Sequence, residues 1–211
     1  MRSSTSGWSL GGVARKTRES IVLCEVAGFD VIFIETVGVG QSETTVHSMS
    51  DFFLLLMLAG AGDELQGIKR GIMEMSDLIA ITKADGSNID KATLARALYS
   101  NALHLFPPSE SGWVPTAMTS SSVTKAGLKD ILDKIEEYFA MAKSNGYYYK
   151  KRKEQSRFWM YETINEGLRD RFFDNEHIQS KLSRYEEDVM EGRLGSFAAA
   201  AELLDIYKKN I

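Results

Sequence analysis

Three short apolar runs constrain this chain most: DVIFIE at 30–35, FFLLLML at 52–58 and DLIAIT at 77–82, each flanked by turn residues and followed by a stretch with helical spacing. Their hydrophobicity is continuous rather than alternating, as in strands covered on both faces, so they predict a parallel sheet in a layered α/β fold. VPTAMT at 114–119 is a weaker fourth candidate. Helices are expected around 12–27, 64–75, 89–105 and 126–143, the third with Asn88 as its N-cap.

After Gly146 the strand signal stops. Phe158, Tyr161, Leu168 and Phe172 fall near one helical face, and a second apolar stripe runs through Phe197, Leu203, Leu204 and Tyr207. The Ser144-Asn145-Gly146 sequence reads as a helix stop and turn. The expected division is therefore an α/β part over 1–145 and an all-helical part over 146–211. Helices with large exposed aromatics need a cover, either a second copy of the chain, giving a homodimer, or the α/β part itself.

With 211 residues and 44% hydrophobic content, the chain can bury one good core. Its net charge of −4 gives no general attraction to nucleic acid or to anionic membranes, so any phosphate recognition must be local. The basic run Lys150–Lys153, beside three tyrosines, is followed by acids and reads as a solvated helix face rather than a nucleic-acid patch. The single cysteine, Cys24, cannot form an internal disulfide and reads as a small core residue in a reducing compartment. The N-terminal residues lack the apolar core of a secretory signal, and the run from Phe52 is about half of the ~20 residues a bilayer crossing needs. A cytoplasmic protein without membrane or nucleic-acid partners is expected.

The first apolar run ends on a carboxylate, Glu35, and passes into Thr36-Val37-Gly38-Val39-Gly40-Gln41-Ser42-Glu43. In parallel sheets ligands sit beyond the carboxyl ends of the strands, so an acid at such a tip is placed to orient magnesium, as in a Walker B position. Gly38 and Gly40 allow close backbone approach to a phosphate. A dinucleotide-binding fingerprint fits poorly, because Glu43 stands where the third glycine is required. A methyltransferase-like acid-x-Gly-x-Gly loop fits poorly too, since Val37 occupies its first glycine position.

The run DLIAIT leads into Thr82-Lys83-Ala84-Asp85, spaced like the N/T-K-x-D base-reading motif of GTPases. An aspartate can accept both N1–H and the exocyclic amine of guanine, whereas adenine offers no such donor pair on that edge. The Lys83 stem can lie along the purine face. Farther on, Thr119-Ser120-Ser121-Ser122 falls where GTPases place a short loop whose backbone reaches the guanine oxygen, with Ser122 in place of the usual alanine. Taken singly, the first motif would be a strand end with an Asp-Gly turn and the second an ordinary serine-rich loop.

LGGVARKTRES at 10–20, ETVGVGQSE at 35–43, GAGDELQGIKRGI at 60–72, TKAD at 82–85 and SRFWMYETINE at 156–166 together resemble the MeaB/ArgK family. These are P-loop GTPases that act as chaperones for adenosylcobalamin-dependent methylmalonyl-CoA mutase, also labelled LAO/AO transport system kinases. The resemblance implies a partial P-loop NTPase-type sheet flanked by helices, followed by a helical dimerisation extension. By the same resemblance Glu35 matches the Walker B-type acid and magnesium site, Gly38 and Gln41 lie in switch II, and Lys83 and Asp85 read guanine. Asp63, Gln66 and Lys69 occupy the polar positions of a mobile loop that signals to the mutase. Gln41 is either a residue that orients the attacking water or a cap for the helix that follows.

One departure matters. These residues contain no G-x-x-x-x-G-K-[ST], the loop whose amides and lysine hold the β- and γ-phosphates. Family members carry it upstream of the segment matched here. Charge-assisted hydrogen bonds contribute about 1.5 to 3 kcal/mol each, so the chain alone is expected to hold GTP, GDP and Mg2+ weakly or not at all. The alternative expectation is a non-catalytic remnant that dimerises or binds a partner. Thr82 in place of the more usual asparagine keeps a hydroxyl but loses an amide, which predicts a looser base loop.

Overall fold

The structure is a computed structural model that describes residues 10–36, 42–59 and 70–210. The elements run α1 (Leu10–Val26), α2 (Ser42–His47), β1 (Leu54–Leu58), α3 (Arg70–Met75), β2 (Leu78–Thr82), α4 (Ile89–Leu103), β3 (Thr116–Thr119), α5 (Leu128–Ser144), α6 (Tyr147–Phe173), α7 (Glu176–Met190) and α8 (Ser196–Lys209). The chain divides into two compact units, 1–157 and 158–211, the division falling inside α6.

In the first unit β1, β2 and β3 form a parallel sheet in that order, with Leu54 opposite Leu78 and Leu78 opposite Thr116. Side chains on a strand alternate between its faces. On one face Ile79 and Ile81 pack with Met73 and with Ala92, Ala95, Tyr99 and Leu103 of α4. On the other, Leu78 and Ala80 pack with Ile131 of α5. Only β2 is sealed on both faces, as its continuous hydrophobicity predicts; Leu56 and Leu58 of β1 stay exposed.

The segment 30–35 is a correction. Val31 to Thr36 has no regular secondary structure, and Phe33 is 88% exposed. Apolar content does not make a strand by itself: the backbone needs a hydrogen-bonded neighbour, and among the described residues none pairs with it. The other expected strands form, each trimmed to the residues that find a ladder partner. The helices expected at 12–27, 89–105 and 126–143 also form, and α3 (Arg70–Met75) falls within the range expected at 64–75, of which 64–69 lie outside the described residues.

The stop at 144–146 forms as read: Asn145 caps α5, Gly146 takes φ +82°, and the Asn145 amide donates to the Ser111 carbonyl at 2.8 Å. The Lys150–Lys153 run is a second correction. Lys151 donates to the Asp51 carbonyl at 3.0 Å, Arg152 Nε and Nη2 donate to the two Asp51 carboxylate oxygens, the first at 2.8 Å, and Arg152 Nη1 reaches Glu25 at 2.8 Å. These side chains fasten the first turns of α6 to the chain leading into β1, with Gln155 donating to the Ser50 carbonyl at 2.9 Å. Cys24 is half-buried rather than part of the core.

In the second unit Asn175 caps α7 by accepting from the His177 and Ile178 amides, and Ile178, Ala199 and Leu203 are buried. Phe172 meets Tyr207 edge to face at 5.3 Å, so the two apolar stripes read from the sequence touch here. Other apolar side chains of this unit are open, Phe197 at 92% and Met190 at 80% exposed. Among the described residues, no helix is long and apolar enough to cross a membrane.

Candidate guanine-reading site

β2 delivers Thr82 to the rim of the sheet, where its hydroxyl donates to the Met57 carbonyl at 2.9 Å and ties the ends of β1 and β2 together. The hydroxyl that distinguishes Thr82 from asparagine is therefore used structurally. Lys83 follows at φ +55°, a left-handed conformation that costs a side-chain-bearing residue roughly 1–2 kcal/mol. The turn is stapled from below: Asn88 Nδ2 donates to the Lys83 carbonyl at 2.8 Å, and the Asn88 amide donates to the Asp85 carbonyl at 3.0 Å. Asn88 stands at the start of α4 but makes no side-chain capping bond, contrary to the cap expected there. Its amide has been taken by the lysine turn.

The loop after β3 closes on this turn. Ala84 donates to the Ser120 carbonyl at 3.0 Å, and Ser120 donates to the Ile81 carbonyl at 2.8 Å. Ser121 is fully buried, and its hydroxyl donates to Asp85 Oδ2. Ser121 Oγ also accepts from the Val123 amide at 3.1 Å and the Thr124 amide at 3.0 Å. A hydroxyl has one hydrogen and two lone pairs, so Ser121 is fully used and holds the Asp85 carboxylate in one orientation. Lys83 is exposed, free to lay its stem against a planar ligand.

Gly127 completes the loop. It takes φ +72°, and a Cβ there would run into the Thr119 carbonyl oxygen. Its sequence signal is a Lys-Ala-Gly just before α5. Asn88, five residues after Lys83, was noted only as a cap.

Thr82, Lys83, Asp85 and Ser121 are thus brought together, and Ser122 follows as an exposed neighbour. Glu35 is exposed on the irregular 31–36 segment, with no hydrogen bond or ion pair to the base loop among the described residues. Gly38, Gln41, Asp63, Gln66 and Lys69 lie outside the described residues. No group of three or more His, Cys, Asp or Glu suited to a metal occurs among the described residues.

Beneath β1 lies a buried polar group that sequence reasoning missed. His47, edge-on to Phe53 at 5.8 Å, has its pKa lowered to about 4 by burial and by the charge of Lys151. Asp77 accepts from the Phe53 amide at 2.8 Å; burial pushes its carboxyl up, opposed by Lys151. Burial pushes Lys151 down, opposed by Asp77 and Asp51. This group anchors the residues between α2 and β1.

The family model described as methylmalonyl Co-A mutase-associated GTPase MeaB matches residues 1–177. A Mus musculus protein named methylmalonic aciduria type A homolog, mitochondrial, is 41% identical over 208 residues, covering 99% of this chain and 50% of that protein. GTPase ArgK of Escherichia coli is 41% identical over 176 residues, 83% of this chain and 53% of that one. A crystal structure of LAO/AO transport system kinase matches with a TM-score of 0.74 at 34% identity, covering 93% of this chain and 63% of the other. The chain spans about half the length of these two relatives.

Proposed function

The chain belongs to the MeaB family of methylmalonyl-CoA mutase-associated GTPases, and from that premise we propose that its first unit reads the base of a guanine nucleotide. The observation that carries this is the Asp85 carboxylate, fixed by Ser121 at the carboxyl end of β2. A fixed carboxylate can accept the paired N1–H and amine hydrogens of guanine, while Lys83 covers the purine face.

In this reading Glu35 supplies the carboxylate toward Mg2+, an ion bound through one or two carboxylates plus the phosphates of the nucleotide. Gln41 is assigned to the water that attacks GTP, Gly38 to the phosphate side, and Asp63, Gln66 and Lys69 to communication with the partner. The partner is methylmalonyl-CoA mutase or a related cobalamin-dependent mutase, by analogy with the family's name. The open apolar side chains of the second unit, Phe197 and Met190 among them, support a homodimer through the helices.

A second reading, a partner-binding module without catalysis, is favoured by the lack of a G-x-x-x-x-G-K-[ST] stretch in these 211 residues. Calorimetric titration with Mg2+ and GDP, ADP as control, separates the two. Weak heat with GDP and none with ADP, lost in Asp85→Ala, is the expected result. Equal heats for both nucleotides, or GDP binding untouched by Asp85→Ala, would overturn base reading; absence of any heat would leave the module reading.

A further inference from the structure

Among the described residues two that are not glycine take positive φ, Lys83 at +55° and Lys125 at +66°. One lies in each of the two loops that meet at Asp85 and Ser121. Left-handed backbone is unfavourable for a residue that carries a side chain, and such outliers gather where a ligand is gripped. At Lys125 the turn serves its own loop, since the Lys125 carbonyl accepts from the Leu128 amide at 3.4 Å and the adjacent Ala126 carbonyl from the Ser121 amide at 3.0 Å. Lys83 is different. Its side chain is exposed and has no hydrogen bond or ion pair among the described residues, so its conformation serves no such contact there.

Asn88 holds that conformation, and α4 goes without a side-chain cap. Its Nδ2 donates to the Lys83 carbonyl at 2.8 Å and its amide to the Asp85 carbonyl at 3.0 Å, while no side-chain bond serves the start of the helix. Asparagine at this position is among the best helix caps, so the alternative use of the same side chain would be stabilising. Two unfavourable local choices, a left-handed lysine and an uncapped helix, therefore coincide at one hydrogen bond. What they secure is placement. The backbone angles of Lys83 limit its rotamers, and its neighbours are fixed too, Thr82 on the Met57 carbonyl and Ala84 on the Ser120 carbonyl.

Building on the guanine reading proposed above, we infer that Asn88 is a positioning residue for purine recognition: by holding Lys83 left-handed it sets where the lysine stem lies against the base. Ser121 separately orients the Asp85 carboxylate. The two loops then divide the work. Asp85 tells one base from another by hydrogen bonds to its edge, whereas Lys83, set by Asn88, covers the face that every purine presents.

The test is a titration of the isotope-labelled full chain with GDP and with inosine diphosphate, whose base lacks the exocyclic amine, followed by amide chemical shifts. Asn88→Ser is the informative variant, because serine caps a helix about as well as asparagine but is too short to keep the bond to the Lys83 carbonyl. It should weaken both nucleotides alike, by about fivefold, the scale of one hydrogen bond. Asp85→Asn should instead weaken GDP more than inosine diphosphate. In a Lys83→Ala background Asn88→Ser should have no further effect on either affinity. Affinities unchanged in Asn88→Ser while Lys83→Ala weakens both, or a loss that persists undiminished in the Lys83→Ala background, would overturn this role for Asn88 and leave base reading intact. A loss confined to GDP would route Asn88 through Asp85 and overturn it as well. No saturable shifts with GDP in the unaltered chain, or a preference for GDP that Asp85→Asn does not alter, would defeat base reading itself and this role with it.

Discussion

Ser121 and Asp85 lie 36 positions apart in the chain and are joined hydroxyl to carboxylate, with the serine oxygen also receiving the Val123 and Thr124 amides. One small side chain therefore joins the loop after β2 to the loop after β3. Removing it leaves two amides and a carboxylate oxygen without their partner.

Ser121→Ala is expected to lower the unfolding free energy by about 1–3 kcal/mol, measured by denaturant titration, because a fully buried hydroxyl with three hydrogen bonds is lost. An unchanged midpoint would show that the serine does not carry this junction.

The left-handed Lys83 turn should depend on Asn88 only because lysine resists that conformation. Asn88→Ala is expected to cost about 1 kcal/mol of stability, the typical net value of one hydrogen bond. In a Lys83→Gly background the same change should cost clearly less, since glycine enters this region freely. A double-mutant cycle without coupling would contradict the staple.

Acid should weaken the fold through His47. Between its ordinary value of 6.5 and the lowered value of about 4, the unfolded chain takes up the imidazole proton and the folded chain does not. Stability therefore falls as pH drops through that window, by a total of about 3 kcal/mol. Asp77 acts in the opposite sense. Its raised pKa means that the folded chain protonates first, so stability is regained as pH falls through that value toward 3.8. His47→Gln should flatten the upper part of the pH profile, as read from denaturant midpoints across the window.

Arg152 bridges Asp51 and Glu25 with its guanidinium about two-fifths exposed. Solvent screening limits such a pair, so Arg152→Ala should cost about 1 kcal/mol. Arg152→Lys should recover only part of that, lacking the planar fork, and the difference should shrink in concentrated salt. A cost unaffected by salt would point to lost packing on the Tyr148 ring, 4.9 Å from the guanidinium carbon.

The sheet was legible wherever burial and pairing coincide. Ile79 and Ile81 are sealed on one face and Leu78 and Ala80 on the other, so their unbroken hydrophobicity reported the structure faithfully. Val31 to Ile34 carries the same pattern without a ladder partner among the described residues, and an apolar run cannot announce whether a neighbour is there to pair with it. Thr82, Lys83, Asp85 and Ser121 could be singled out because two short local patterns carry them, and the hydrogen bonds of the loops after β2 and β3 bring those patterns together. Arg152 could not: its partner Asp51 stands 101 positions earlier, and local charge content hides so distant an ion pair. Asn88 was misread for a related reason, since a cap and a turn staple ask for the same side chain within a few residues.

Gly127 has no functional group, yet it sits where any side chain would strike the Thr119 carbonyl oxygen. Mutational drift at this position would be filtered by strand geometry rather than by chemistry. Even an alanine would push on the last residue before Ser120 and Ser121, and the injury would surface in the aspartate they steady rather than at the altered site. A position with nothing to contribute chemically thereby becomes one of the least replaceable in the loop.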